Sequence, residues 1–541
     1  MPVPVYSTPA DYTPCHYTTA EAVLSDPLVN VTFADVVAMD DAAWHAWLTR
    51  VRVAILRQWD AIGVPPRTGL SEAELAQAAD RLIADDASKV WTTDDDGAEC
   101  LSAPSTSGGF VGNWFETMMK TRIVTSTKSE GLSIYDIFAN DDLWARYVKS
   151  YAVRHFRKDS FYAYSRAIHT HEDLPTRPGV VPVSAEDYLR QLAAHPRVES
   201  ASLFDDAPTT TYGVWLAPAN ADEDYNGYSE KMSSGRQIWT MSQEDALRLK
   251  DDPTMPAAWF RFVAPDLKKS HYMVRLFDSD TRIFPDGFRS FRISMTNSVV
   301  NFPPLVARAL YERYGPDHGV YWDPSSGWAG RLAGTITSPK RPLYIGTDPN
   351  TDHLWTDADG VAHSKYTELA AYLGQRMPLA ERPRVLFFPC GSEVMRDQPK
   401  FQAYKGAVDV IGTSCPYLWK EWYSDDPEQS CVKFSEFEGW CDGFLRPTIE
   451  TAAEWLKPGG YLWWNIADVR FDGKLYPLEQ RSMDYAKAAG LEYVTTHRML
   501  LASMPGGNRV INGQGTAKNV TKVRGRITKY EPVYIFRRPL V

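Results

Sequence analysis

GVYWDPSSGWAGR, residues 319–331, decides the fold. A short β-rich apolar run ending at Asp323 passes through Pro324, two serines and Gly327 into a helical stretch. Beyond it the same pattern repeats. PLYIGTD (342–348), RVLFFP (384–389), AVDVIGTS (407–414), GYLWWNI (460–466), LEYVTTHRM (491–499) and EPVYIFRR (531–538) are apolar runs separated by helical segments. Seven strands with intervening helices predict a doubly wound α/β sheet. Ligands of such sheets bind beyond the carboxyl ends of the strands, near the topological switch point, so the residue after each strand carries the functional reading.

The first strand ends in Asp323, which can accept from a cationic or amine group. Ser325 and Gly327 follow in a turn whose glycine lets backbone approach a bound cofactor, although the stretch is not GxGxxG. The second strand ends in Asp348 of YIGTDPN. An acid there can hold both hydroxyls of a ribose, which fits any adenosine cofactor. After the third strand, PCGSE (389–393) offers small residues, Ser392 among them, to flank an adenine ring. Before the first strand, NFPPLVARALYERYG offers Phe302 as an aromatic lid; core packing is the competing reading for that ring.

The fourth strand runs into GTSCPYLWKEWY (412–423). Taken in order, NFPP, DPSSGWAGR, YIGTDPN, TSCPY and LKPGGYLWWNIAD resemble the motifs of the S-adenosylmethionine-dependent DNA amino-methyltransferases, phage-encoded members included, over about residues 290–541. The resemblance implies a Rossmann-like, seven-stranded methyltransferase sheet. It also implies that Phe302, Asp323, Ser325, Gly327, Asp348 and Ser392 line an S-adenosylmethionine site, with no metal. Ser414, Cys415, Pro416 and Tyr417 would receive an adenine or cytosine flipped out of double-stranded DNA and methylate its exocyclic amine. Tyr417 would stack on the extruded ring. Acceptors that hold both amino hydrogens help a poorly nucleophilic amine, and Ser414 with the residue-415 carbonyl could supply them.

Family loops carry Pro where Cys415 stands. Two alternatives follow from that departure. One is carbon-5 pyrimidine modification with Cys415 as nucleophile, although in such enzymes the cysteine follows a proline and here it precedes one. The other is a catalytically inactive DNA-binding protein that keeps the fold. Trp419, Glu421, Trp422 and Tyr423 would shape the base pocket or contact flanking DNA, unless they are simply a packed surface loop.

At 541 residues the chain is too long for one core. Three regions are expected: an acidic helical segment (1–100), a mixed α/β recognition or scaffold domain (101–289) and the methyltransferase domain (290–541). Net charge is −10, yet residues 1–100 hold 16 Asp/Glu against 6 Lys/Arg, so the other 441 carry 52 of each sign and can present a basic groove. Candidate basic stretches are KTRIVTSTKSE, RHFRKDSFYAYSR and KNVTKVRGRITKYE. Helical periodicity places Trp44, Trp47, Val51, Ile55 and Trp59 on one face, and Ser71 with Glu74 forms a capping box for the next helix. Six cysteines without a CxxC pair suggest neither a disulfide framework nor a zinc site. With no signal-like start and no apolar run of roughly 18 residues, a cytoplasmic protein without membrane spans is expected, in the host cytoplasm if phage-borne.

Overall fold

The computed structural model describes residues 2–9, scattered positions between 42 and 56, and residues 72–103, 109–124 and 131–143; it also describes three short strands (212–215, 238–241, 259–262) and residues 299–540 except 472 and 502–518. Trp44, Trp47, Val51, Ile55, Trp59, Ser71, Lys518 and the RHFRKDSFYAYSR stretch lie outside the described residues.

The sheet strands are β1 (Tyr6–Ser7), β2 (Trp91–Thr93), β3 (Glu99–Leu101), β5 (Val320–Asp323), β6 (Leu343–Thr347), β7 (Arg384–Phe388), β8 (Val408–Ser414), β10 (Leu456–Asn465), β11 (Glu492–Leu500) and β13 (Arg526–Arg537). Strand β12 (Val520–Val523) forms a hairpin with β13, and β4 (Arg122–Ile123) pairs with β9 (Glu421–Trp422) apart from the main sheet. The order across the sheet is β1-β7-β6-β5-β8-β10-β13-β11-β3-β2. Strands β7, β6, β5, β8 and β10 run parallel, while β13 lies antiparallel between β10 and β11. Counted by chain order, the seven central strands read 3-2-1-4-5-7-6, the arrangement of the Rossmann-like methyltransferase sheet.

All seven expected strands form, and β10 and β13 begin earlier than their apolar runs do. The N-terminal part of the chain extends both edges. Tyr6–Ser7 adds antiparallel to β7, and Glu99–Leu101 adds parallel to β11, with β2 outside it. These additions cover strand edges whose free N–H and C=O groups would otherwise invite pairing with other chains.

Alternation with period two splits the core between the two faces. Tyr321, Tyr344 and Trp463 pack on one side with Leu75 and Leu82 of α1 (Glu72–Ala84), Trp114 and the helices α2 (Pro304–Tyr314), α3 (Gly330–Ile336) and α4 (Lys365–Gly374). Trp322, Ile345 and Trp464 face the other side, against Phe401, Trp440 and α5 (Arg446–Trp455). Strand β8 is buried from Val408 to Thr413, and its one carboxylate, Asp409, accepts from the Val320 N–H of β5 at 2.8 Å. Helix α2 opens on proline at its first turn, where the missing N–H leaves no intrahelical bond unmade.

Helices α2 and α3 approach closely because Gly334 has no side chain: a Cβ there would sit 1.8 Å from the Pro304 carbonyl oxygen. Gly334→Ala should therefore destabilise the protein by about 1–3 kcal/mol through overpacking. At Gly439 an added methyl would meet only Glu436 Cβ, at 3.9 Å, so Gly439→Ala is the near-neutral control. Denaturant unfolding of the two variants checks this.

Candidate functional site at the carboxyl edge of the sheet

Strand β5 ends in a carboxylate with no solvent contact. Asp323 Oδ2 accepts from Arg331 Nε and from the Tyr344 hydroxyl, each at 2.8 Å, and Oδ1 accepts from the Ser325 N–H at 3.2 Å. Arg331, itself buried, also donates through its guanidinium to the Ser325 carbonyl. The acid thus clamps the turn between β5 and α3 internally; it is not held open for an external amine.

Gly327 stands in that turn at φ +53°, in the left-handed region where glycine meets no Cβ penalty. Its N–H donates at 2.8 Å to Asp348 Oδ2, and the Asn350 N–H donates at 3.0 Å to Oδ1. Burial pushes the Asp348 carboxyl up to about 6, with these two backbone donors opposing the rise. An ionised carboxylate oxygen offers about two acceptor directions, so each Asp348 oxygen keeps one for a further donor such as a ribose hydroxyl. The acid is buried, with 9% of the residue exposed.

A chain of hydrogen bonds ties this turn to residues near 117. The Tyr366 hydroxyl donates to the Gly327 carbonyl at 2.6 Å and lies 2.8 Å from His353 Nδ1; His353 Nε2 lies 2.8 Å from Thr117 Oγ1. Since the Tyr366 proton is committed to Gly327, Nδ1–H must be the donor to Tyr366 and Nε2 the acceptor from Thr117. Burial holds the His353 pKa well below its usual range, which keeps the ring neutral in that tautomer. The Trp328 indole N–H completes the set by donating to Thr117 at 3.1 Å, and its ring meets Tyr423 edge-on at 5.5 Å.

Phe302 is buried, stacked on Trp463 at 5.6 Å with Arg331 over its face, so here it belongs to the core. The Ser392 hydroxyl is likewise engaged with Thr448 Oγ1 at 2.8 Å.

The loop after β8 lies next to the turn after β5, because the two strands are hydrogen-bonded neighbours and Thr413 Oγ1 reaches the Ser325 carbonyl at 3.5 Å. Ser414 is half-buried at the strand end. The Cys415 N–H donates to the Asn465 carbonyl, extending the parallel ladder by one bond, while its thiol is sealed in the core. Burial pushes that thiol well above its usual range, the opposite of what a nucleophilic thiolate needs. Leu418, buried at φ +54°, closes the turn together with the Lys420 N–H to Tyr417 carbonyl bond; a left-handed residue with a Cβ costs about 1–2 kcal/mol. The turn aims the half-buried Tyr417 at β13, where its hydroxyl donates to Glu531 Oε2 at 3.3 Å. Tyr423 caps the Glu421 carboxylate, Trp419 packs against Phe471 and Tyr476, and the Trp422 indole donates to Asp425. Strand β4 pairs with β9 and so braces this loop from the N-terminal side.

Reading strand ends in the sequence pointed to Asp323, Gly327, Asp348 and Ser414, and the structure brings all four to one edge of the sheet. It missed Arg331, Asn465 and Glu531. Asn465 closes β10 within the GYLWWNI run, so the same strand-end rule reaches it. Arg524, in the C-terminal basic stretch, sits at a turn whose backbone N–H groups dock on Asp95. Among the described residues no cluster of His, Cys, Asp or Glu could hold a metal, and no helix is long and apolar enough to cross a membrane.

No protein-family profile and no curated protein matches the chain. Solved structures similar to it include the antibiotic-resistance methyltransferase Kmr (14% identity, 45% of this chain and 95% of that one, TM-score 0.24). Another is a variant 16S rRNA (adenine(1408)-N(1))-methyltransferase from Catenulisporales acidiphilia (13%, 45% and 96%, TM-score 0.24). A third is the 1,6-didemethyltoxoflavin-N1-methyltransferase of Burkholderia thailandensis (13%, 43% and 76%, TM-score 0.25). At identities and TM-scores this low these likenesses decide nothing about chemistry; the fold rests on the strand order itself.

Two outcomes are expected. Arg331→Met removes the cationic partner of the buried Asp323, so it should destabilise by about 3–5 kcal/mol, and Asp323→Asn in the same chain should recover part of that loss in denaturant unfolding. Iodoacetamide at pH 8 should leave Cys415 unmodified in the native protein and modify it after denaturation, as read by peptide mass spectrometry.

Proposed function

We propose that this chain transfers a methyl group from S-adenosylmethionine to the exocyclic amino group of an adenine or cytosine flipped out of DNA. One observation carries the reading. The Ser414–Tyr417 loop, at the end of the fourth strand of a methyltransferase-type sheet, is joined through Thr413 and Ser325 to the turn whose Gly327 N–H donates to Asp348.

The residues fit the cofactor. Asp348 has free acceptor directions for the ribose hydroxyls, and Gly327 leaves room beside it, since a Cβ there would find its nearest neighbour at 3.8 Å. Asp323 and Arg331 act from behind, holding the turn in shape. When bound, S-adenosylmethionine supplies an electrophilic methyl group on a sulfonium centre.

The chain's own part is to present the amine. Flipping costs a few kcal/mol of lost stacking, and the Tyr417 ring offsets part of it by stacking on the extruded base. Ser414 and the Cys415 carbonyl are the acceptors for the amino hydrogens, favouring a nitrogen whose lone pair points away from the ring. A side chain at position 415 that faces the core leaves only its carbonyl for this role, so cysteine can stand where proline is usual. The same burial disfavours the covalent carbon-5 route, which requires an exposed thiolate.

The reading predicts a split between two variants. Asp348→Ala should weaken S-adenosylmethionine binding by about 10–100-fold, from the loss of hydrogen bonds to a charged acceptor. Tyr417→Ala should leave that affinity unchanged and slow DNA methylation by about 10-fold or more. Calorimetry with the cofactor, and label transfer to mixed-sequence duplex DNA followed by nucleoside analysis, measure both. Unchanged methylation by Tyr417→Ala would remove the stacking assignment.

A further inference from the structure

Beyond the carboxyl ends of β8 and β10, a carboxylate and an amide converge that the account above leaves idle. Because β13 runs antiparallel, its early residues lie at this edge: Val533 pairs with Asn465, and Glu531 stands two residues further out. The Asn465 side chain is fully buried, and its Nδ2 donates to the Pro532 carbonyl at 3.0 Å, which fixes the amide's orientation. Its Oδ1 has no hydrogen-bond partner. A buried, oriented and unsatisfied acceptor costs about 1–3 kcal/mol unless a ligand donor meets it. Glu531 is half-buried, and the Tyr417 hydroxyl donates to its Oε2 at 3.3 Å.

We propose that Glu531 is the proton acceptor for the amino group methylated at this site, with Asn465 Oδ1 as the fixed acceptor that orients it; the proposal rests on the methyl-transfer reading above. Neither Ser414 nor the sealed Cys415 thiol can take a proton near neutral pH. A carboxylate can, once its environment raises its affinity for one. Burial, then the charge of Glu421, push the Glu531 carboxyl up to about 7, against hydrogen bonding from Tyr417 and Asn465. The groups that set this value are Glu421 on β9, capped by Tyr423, then Tyr417 on the catalytic loop and Asn465 on β10.

The step balances. A bond forms between the amino nitrogen and the methyl carbon as the donor's sulfur–carbon bond breaks, the electron pair staying on sulfur. The nitrogen, now with one hydrogen too many, passes that proton to Glu531, which later releases it to water. The same pair selects the base class. Adenine and cytosine both set an amino donor toward Asn465 Oδ1, whereas thymine would set a carbonyl oxygen there and leave two acceptors opposed.

The test uses the full chain, labelled S-adenosylmethionine and mixed-sequence duplex DNA between about pH 5 and 9. The wild type should lose rate on the acid side with a midpoint near 7, where Glu531 becomes protonated. Glu531→Gln should slow methylation by about 100-fold or more and flatten that limb, with cofactor affinity by calorimetry unchanged. An infrared band of a protonated carboxyl should titrate near 7 in the wild type and be missing from the variant. Tyr417→Phe removes a donor to the carboxylate and should move the acid limb to higher pH, a displacement that a merely structural Glu531 would not produce; it decides the matter should Glu531→Gln fail to fold. A Glu531→Gln protein with the parental rate and limb overturns the proposal and leaves the methyl-transfer reading standing. A wild type that neither binds S-adenosylmethionine nor labels DNA overturns both.

Discussion

The buried pair between Asp323 and Arg331 is the constraint on which the rest of the carboxyl edge depends. Taking both charges out of water costs several kcal/mol per ion, and a close contact with every remaining acceptor used is what offsets it. Here the offset is spread over the Tyr344 hydroxyl, the Ser325 N–H and the Ser325 carbonyl. The strand end, the turn and the first residues of α3 become one rigid piece as a result. Gly327 can hold its left-handed conformation because both flanks are pinned, and its N–H is then aimed at Asp348. An apolar pair of the same volume would stabilise the core at least as well, but it would not dictate the turn.

The N-terminal part of the chain acts on the same turn from outside. Thr117, His353 and Tyr366 form a line of neutral hydrogen bonds that ends on the Gly327 carbonyl, while β4 pairs with β9 just past the loop after β8. Residues 109–124 therefore touch both halves of the proposed site, the cofactor turn through Trp328 and the base loop through Glu421. With β1 and β3 extending opposite edges of the sheet, these segments are built into the methyltransferase fold.

How much of this could be read from the residues alone follows from periodicity and its limits. Central strands such as β5 and β6 are mostly buried and leave short β-rich apolar runs, which made the seven legible, and the acid that ends β5 and the one that follows β6 stood out against them. Tertiary use of those acids was not legible: nothing local distinguishes an Asp323 clamped by an arginine eight positions later from one open to a ligand. Phe302 shows the same ambiguity, since a lid and a core ring have one spelling. Glu531 was missed for a topological reason. Reading the residue after each strand assumes parallel strands, and for the antiparallel β13 the residues at the ligand edge come first.

Cys415 brings these threads together. A thiol beside a proline at the end of a central strand invites a covalent mechanism, and its position in the strand pleat decides against one. Ser414 is half-buried at the strand end, and the next side chain joins the buried cluster that also holds Leu418 and Trp440. Desolvation there favours the neutral thiol. In the proposed reaction, chemistry at this edge is left to oxygen: the Ser414 hydroxyl, the residue-415 carbonyl, Asn465 Oδ1 and the Glu531 carboxylate. An arrangement of acceptors alone suits a substrate that arrives with hydrogens to give, and an exocyclic amine is such a substrate.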